Sequence, residues 1–212
     1  MSDTLYIKRA RLSFPKLKEP KASVTGDDPR YSCDFVMPED HPSYVEFRKT
    51  IYAMAKDKWG DKADAILQMV MNDSKRRCFG SGDEKRSKKT MEVYSGYVDN
   101  FYITANCAED DPPQMIRADN GKPVKFESPD WMPIVKQLVG GYWVNAAVRP
   151  WLQDNKWGYG IRCELLGIQF AAVDTPFGRG EDDLEALFEP VESAEIQPVE
   201  EGGMPSFFQD VG

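Results

Sequence analysis

An α+β fold is predicted, a curved, β-rich globular domain with a helical insertion and an acidic tail, and three observations predict it. Apolar and polar residues alternate with period two along several segments. One stretch, 42–71, changes to three- and four-residue spacing. Beyond residue 180 both the periodicity and the basic residues stop.

The elements follow in order. Ala10, Leu12 and Phe14 alternate with Arg9, Arg11 and Ser13, a strand that Pro15 is expected to end. A Lys-, Pro- and Gly-rich loop leads to a second strand, where Tyr31, Cys33, Phe35 and Met37 alternate with Ser32 and Asp34 before Pro38. Over 42–59, Tyr44, Phe47, Ile51 and Met54 recur at helical spacing, with Ser43 or Asp40 as the expected cap. A second helix is expected from Asp61, with Ile66, Leu67, Val70 and Met71 as its apolar side. A strand over 97–107 places Phe101, Ile103 and Ala105 on one face and Asn100, Tyr102, Thr104 and Asn106 on the other. Asn120-Gly121 signals a tight hairpin turn. The strongest strand pair spans 142–153 and 156–173, joined at Asp154-Asn155. The inward parity shifts at Gly167, as a bulge in a small curved barrel requires. This divides the chain into a folded domain, 1–180, and a tail, 181–212, whose composition predicts disorder.

The net charge of −8 conceals a division. Residues 181–212 hold ten acidic side chains and no Lys or Arg, which leaves 27 basic and 25 acidic side chains in 1–180, a net of +2. A mildly basic body thus carries a strongly acidic tail. No apolar run approaches the roughly 20 residues that span a bilayer, and Met1-Ser2-Asp3-Thr4 lacks a signal-peptide pattern, so a cytoplasmic protein is expected. Cys33, Cys78, Cys107 and Cys163 are scattered and His41 is the only histidine, so the cysteines read as buried hydrophobes, and no metal or cofactor is expected.

Binding chemistry concentrates in three places. On the strand at 142–153, Tyr142, Val144, Ala146 and Val148 point one way, while Trp143, Asn145, Arg149 and Trp151 point the other. Flat rings beside a cation suit unpaired bases and phosphates, and Trp157 and Tyr159 beyond the turn extend that surface. The segment 75–89 concentrates cations: Lys75, Arg76, Arg77, Lys85, Arg86, Lys88 and Lys89. Arg9 and Arg11 share a strand face, and Tyr102 joins the set from its own. Catalytic patterns are weak. Gly80-Ser81-Gly82-Asp83 lacks the Gly-Lys-Ser/Thr of a phosphate loop, and no Ser-His-Asp set forms around one histidine. Two other readings stay open: a metal-dependent nuclease or recombination enzyme using Glu109, Asp110 and Asp111, and an adaptor or homo-oligomer whose aromatic face is a protein interface.

Over roughly residues 5–178 the chain resembles a family of tailed-phage single-stranded-DNA-binding proteins, formerly a domain of unknown function. The resemblance rests on Ala10-Arg11-Leu12-Ser13-Phe14-Pro15 with Glu19-Pro20-Lys21, on the strand 31–38, on Gly82-Asp83-Glu84-Lys85 and on Tyr94-Ser95-Gly96-Tyr97. It continues through Val144-Asn145-Ala146, Trp151, Asp154-Asn155-Lys156, Gly158-Tyr159-Gly160-Ile161 and Gly167-Ile168-Gln169-Phe170. It implies an OB-like antiparallel barrel that binds single-stranded DNA in phage replication or recombination, in the host cytoplasm, without catalysis. It also implies a tail that meets replication proteins through Phe207, Phe208 and Asp210, although here the aromatics are not terminal.

Overall fold

Strands that bury one face need another surface to cover it, and here the sheet covers itself by closing. The computed structural model describes residues 4–22 and 28–178; the expectations for Phe207, Phe208 and Asp210 lie outside the described residues. In chain order the elements are β1 (Leu5–Lys21), β2 (Arg30–Met37), α1 (Pro42–Trp59), α2 (Ala63–Met71), β3 (Phe79–Ser81), β4 (Phe101–Ala108), β5 (Gln114–Ile116), β6 (Pro123–Val124), α3 (Trp131–Gln137), β7 (Trp143–Asn155) and β8 (Gly158–Ala172).

Five of these strands form the barrel. β1 pairs with β2 and β7, β2 with β4 and β7 with β8, all antiparallel, and a parallel contact between β4 and β8 at Asn106 and Glu164 closes the ring. Taken as strands one to five in chain order, they neighbour one another as 1-2-3-5-4-1, an OB-like barrel with α1 and α2 inserted between the second and third. Ile7, Leu12, Phe35, Ile103, Val144, Ile161 and Leu165 fill the interior. Helix α1 adds Tyr44, Phe47 and Ile51, with the Phe47 ring edge-on to Phe79 at 5.5 Å.

Closure demands bends, and β1 supplies them. Its register slips between Ile7 and Ala10 against β7, and between Ser13 and Lys16 against β2. At these bulges Arg9 and Phe14 adopt left-handed backbone angles, φ 48° and 44°. Strand β1 therefore runs past Pro15, because a bulge needs no ladder N–H there. The parity shift read at Gly167 is present as well: Ala147 faces Gly167 while Val148 faces Leu165.

Other expectations are corrected locally. The α1 cap is His41, whose Nδ1 accepts the Ser43 backbone N–H at 3.2 Å. Burial, the main cause, lowers the His41 pKa, which suits an acceptor nitrogen. A single 3-10 turn at Gly60–Lys62 precedes α2. Strand β4 starts at Phe101, and the β7–β8 turn lies two residues later than expected, between Asn155 and Gly158. All four cysteines are free and buried, and burial raises the thiols of Cys33, Cys107 and Cys163, so they act as small apolar groups. Among the described residues no helix is long and apolar enough to cross a membrane.

The segment between β3 and β4 folds over the outer face of β2 and β4, pinned by a buried carboxylate. Asp34, 4 % exposed, accepts the Tyr97 hydroxyl at 2.7 Å, the Thr104 hydroxyl at 2.6 Å and the Lys85 ammonium at 2.9 Å. A buried carboxylate is tolerated only when its acceptors are filled in this way. Burial in the first place, with the Asp34 charge beside it, pushes the Tyr97 hydroxyl far above its ordinary pKa, so it stays a donor. Gly82 lies so close to the Tyr97 carbonyl oxygen that a Cβ there would collide with it.

Removing one donor tests this pin. Tyr97→Phe is expected to destabilise the domain by about 1–3 kcal/mol, the cost of leaving a buried acceptor short of a partner. Urea unfolding checks this: the midpoint falls while the slope stays unchanged.

Candidate nucleic-acid interface

Two hairpins are longer than the barrel that carries them. The 13 residues of β7 and 15 of β8 extend beyond their contacts with β1 and β4, and the far half of β1 extends with the start of β2. Between these arms lies an open cleft of about 920 Å³, floored by Ser32 and Asn106. In an OB barrel this is the region between the first and last hairpins, over the middle strands.

Two tryptophans occupy one wall. Trp151 is 44 % exposed and faces Arg162 across the β7–β8 ladder. Trp157 stands at the turn tip, 74 % exposed, its backbone N–H bonded to Asn155 Oδ1 at 3.0 Å. Gly158 closes the turn at φ 90°, a conformation that favours glycine. The Lys156 ammonium lies 5.2 Å from the Trp157 ring centre.

Five cations line the cleft, Lys16, Lys21, Arg30, Lys75 and Arg162, against one carboxylate, Asp28. Their partners distinguish them. Arg30 donates to the neutral Asn106 amide at 3.2 Å, and Arg162 to Gln153 Oε1 at 3.2 Å and the Lys75 carbonyl at 3.0 Å. Of these five cations only Lys21 has an acidic partner among the described residues, the exposed Glu19 at 3.6 Å. Neutral acceptors orient these side chains without cancelling their charge.

Several sequence-predicted residues are engaged elsewhere. Arg77, with 7 % of its side chain exposed, pairs with Glu84 at 2.6 Å and donates to two backbone carbonyls, so its charge is engaged within the fold. Tyr102 is 4 % exposed beneath the Lys85 ammonium, too enclosed to stack on a base, and burial chiefly pushes its pKa up to about 12. Lys85 is held by Asp34, and Tyr159 packs edge-on against Trp59 at 5.5 Å. Arg76 pairs with Asp73 at 3.2 Å and donates to the Tyr159 carbonyl, and Arg149 pairs with Glu164 at 3.1 Å. Arg86, Lys88 and Lys89 are exposed on the covering segment, outside the cleft lining. Thus of the expected set the cleft unites Lys75, Trp151 and Trp157, and it adds Lys16, Lys21, Arg30 and Arg162, which sequence reasoning missed. The two lysines of β1 stood beyond the supposed stop at Pro15.

Trp143, Arg9 and Arg11 meet at the opposite end of β7. Both guanidinium carbons lie within 6 Å of the Trp143 ring centre, at 5.7 and 5.2 Å. Arg11 is bound to Asp174 at 3.0 Å, to the Thr175 carbonyl at 2.8 Å and to the Gly141 carbonyl. The Thr175 backbone N–H chiefly, with Arg11 and a Trp143 side-chain hydrogen bond, holds the Asp174 carboxyl below its usual pKa. Glu109, Asp110 and Asp111 follow β4 in an exposed turn, and among the described residues no three His, Cys, Asp or Glu side chains form a group able to hold a metal.

Comparison with known proteins bears on this arrangement. The putative protein p50 of Acyrthosiphon pisum secondary endosymbiont phage 1 is 28% identical over 174 residues, which is 78% of this chain and 82% of that protein. The structure of the single-stranded DNA-binding protein from bacteriophage Enc34 in complex with ssDNA is similar in fold, with a TM-score of 0.62 at 23% identity over 83% of this chain and 90% of that one. Another structure of the Enc34 protein gives a TM-score of 0.58 at 23% identity, covering 88% of this chain and 90% of the other. The family described as Enterobacter phage Enc34, ssDNA-binding protein, matches residues 4–197, and the chain belongs to that family.

Proposed function

We propose that this protein binds single-stranded DNA in phage replication or recombination, in the cleft between its two hairpin arms, as a stoichiometric binder rather than an enzyme. One observation carries the reading: two exposed tryptophans share a cleft with five cations, four of which have no acidic partner among the described residues. Exposed rings supply sequence-tolerant stacking, worth roughly 1–3 kcal/mol per base, and the free cations neutralise phosphates. Duplex DNA offers the rings no unstacked base, so the arrangement selects single strands. Membership of the family supports the same reading. The acidic segment 181–212, with Phe207, Phe208 and Asp210, supplies a charged and aromatic contact for replication partners.

Incubation of end-labelled single strands with the protein and Mg²⁺ tests this directly. A retarded, full-length strand supports the binder. Shortened product supports a nuclease, and an unshifted strand supports a protein adaptor.

Trp151→Ala and Trp157→Ala are each expected to weaken binding by about 1–3 kcal/mol while the folded domain keeps its stability. Fluorescence titration with oligonucleotides beside thermal unfolding measures both.

Neutralising Arg30 and Lys16 is expected to lower the slope of log K against log salt by about 0.7 for each phosphate that is no longer neutralised. Arg77→Gln, which breaks an internal ion pair, is expected to cost stability and leave that slope unchanged.

A further inference from the structure

Outward positions of β7 form one row: Trp151, Arg149, Ala147, Asn145 and Trp143. The row leaves the main cleft at Trp151 and crosses a second open cleft of about 570 Å³, lined by Arg149, Ala147, Asn145 and the ring of Tyr6, which is 48 % exposed. It ends at Trp143. Eight residues at roughly 3.3 Å each separate the two tryptophans, about 26 Å. At the stacked spacing of about 3.4 Å that is seven or eight nucleotides, within the about 4–16 that an OB fold covers.

The far end is built rather than incidental. Arg11 and the Asp174 carboxylate fix the Trp143 ring from the C-terminal side of β8. Arg9 reaches the same ring from a left-handed backbone position, which a side chain disfavours. Asn145 maintains that conformation: its Oδ1 accepts the Arg9 backbone N–H at 3.0 Å, and its amide donates to Gln169 at 2.9 Å. Arg9 is exposed, and among the described residues it has no acidic partner. A strained residue held beside a fixed ring, with its charge free, fits a phosphate contact next to a stacked base.

We infer that Trp143 and Arg9 form a second stacking station for the same single strand, reached along the outer row of β7. This rests on the cleft reading above. A strand too short to leave the cleft touches Trp151 and Trp157 alone. A longer one passes Arg149 and Tyr6 and stacks on Trp143, with Arg9 on a phosphate.

The experiment titrates the full-length protein with oligo-dT of about 5 and about 14 nucleotides, lengths chosen below and above the span. Variants Trp143→Ala and Arg9→Gln are compared with Trp151→Ala. Trp143→Ala is expected to weaken the long oligomer about tenfold, in the range of one lost stack, and to leave the short one unchanged. Arg9→Gln, whose exposed side chain makes misfolding an inadequate explanation, is expected to lower the salt slope by about 0.7 for the long oligomer only. Trp151→Ala is expected to weaken both lengths. If Trp143→Ala and Arg9→Gln weaken both lengths alike, or neither, the second station is overturned while the cleft stands. A parent protein that binds neither oligomer overturns both readings.

Discussion

Closing a barrel from only five strands is the constraint on which the rest of this structure depends. A flat ladder of five cannot meet its own edge, so at least one strand has to bend sharply and change partners. That strand is β1, which pairs first with β7 and then with β2, turning at two bulges. Both bulge residues, Arg9 and Phe14, take a backbone conformation that side chains disfavour. Each is compensated by a local contact: Asn145 binds the Arg9 amide, and the Phe14 ring packs edge-on to Tyr94 at 4.9 Å. Once the ring is closed between Asn106 and Glu164, the excess length of β1, β7 and β8 has nowhere to pair except as projecting hairpins. The cleft is the gap those hairpins leave.

Burial of charge sets the second level of organisation. Asp34 belongs by register to an outward position of β2, yet Lys85 and Tyr97 of the segment over 82–100, together with Thr104 of β4, enclose it and fill its acceptors. That segment covers the end of the β2–β4 face near Val36 and Tyr102, and leaves the end near Ser32 and Asn106 open. Polar contacts between residues distant in sequence therefore determine where the sheet is available.

Local pattern in the sequence was enough for β2, β4, β7 and β8, for the two inserted helices and for the bulge at Gly167, because period and parity are properties of neighbours. Strands β3, β5 and β6, two or three residues long, are too short to show a period. The outward face of β7, with Trp143, Arg149 and Trp151, was legible for the same reason. Pro15 misled because a proline reads as a stop unless the bulge that accommodates it is known. Helix α3 escaped because it is seven residues long and contains Pro133. The cations were the least legible. Lys85 and its partner Asp34 are 51 residues apart, and Arg149 and Glu164 are 15, so nothing in a local charge run shows which members are already neutralised. Lys16, Lys21, Arg30 and Arg162 were overlooked for the converse reason: they are scattered along the chain, and only the closed barrel gathers them.

The uncompensated cations of the cleft also bear on how this domain can change over generations. Like charges gathered around neutral amides repel one another in the empty protein, so replacement of Arg30 or Arg162 by a neutral residue would relieve the free fold. Selection for sturdiness alone would erode these positions first. Their persistence in a lineage would record a demand external to the fold, a trade of robustness for grip.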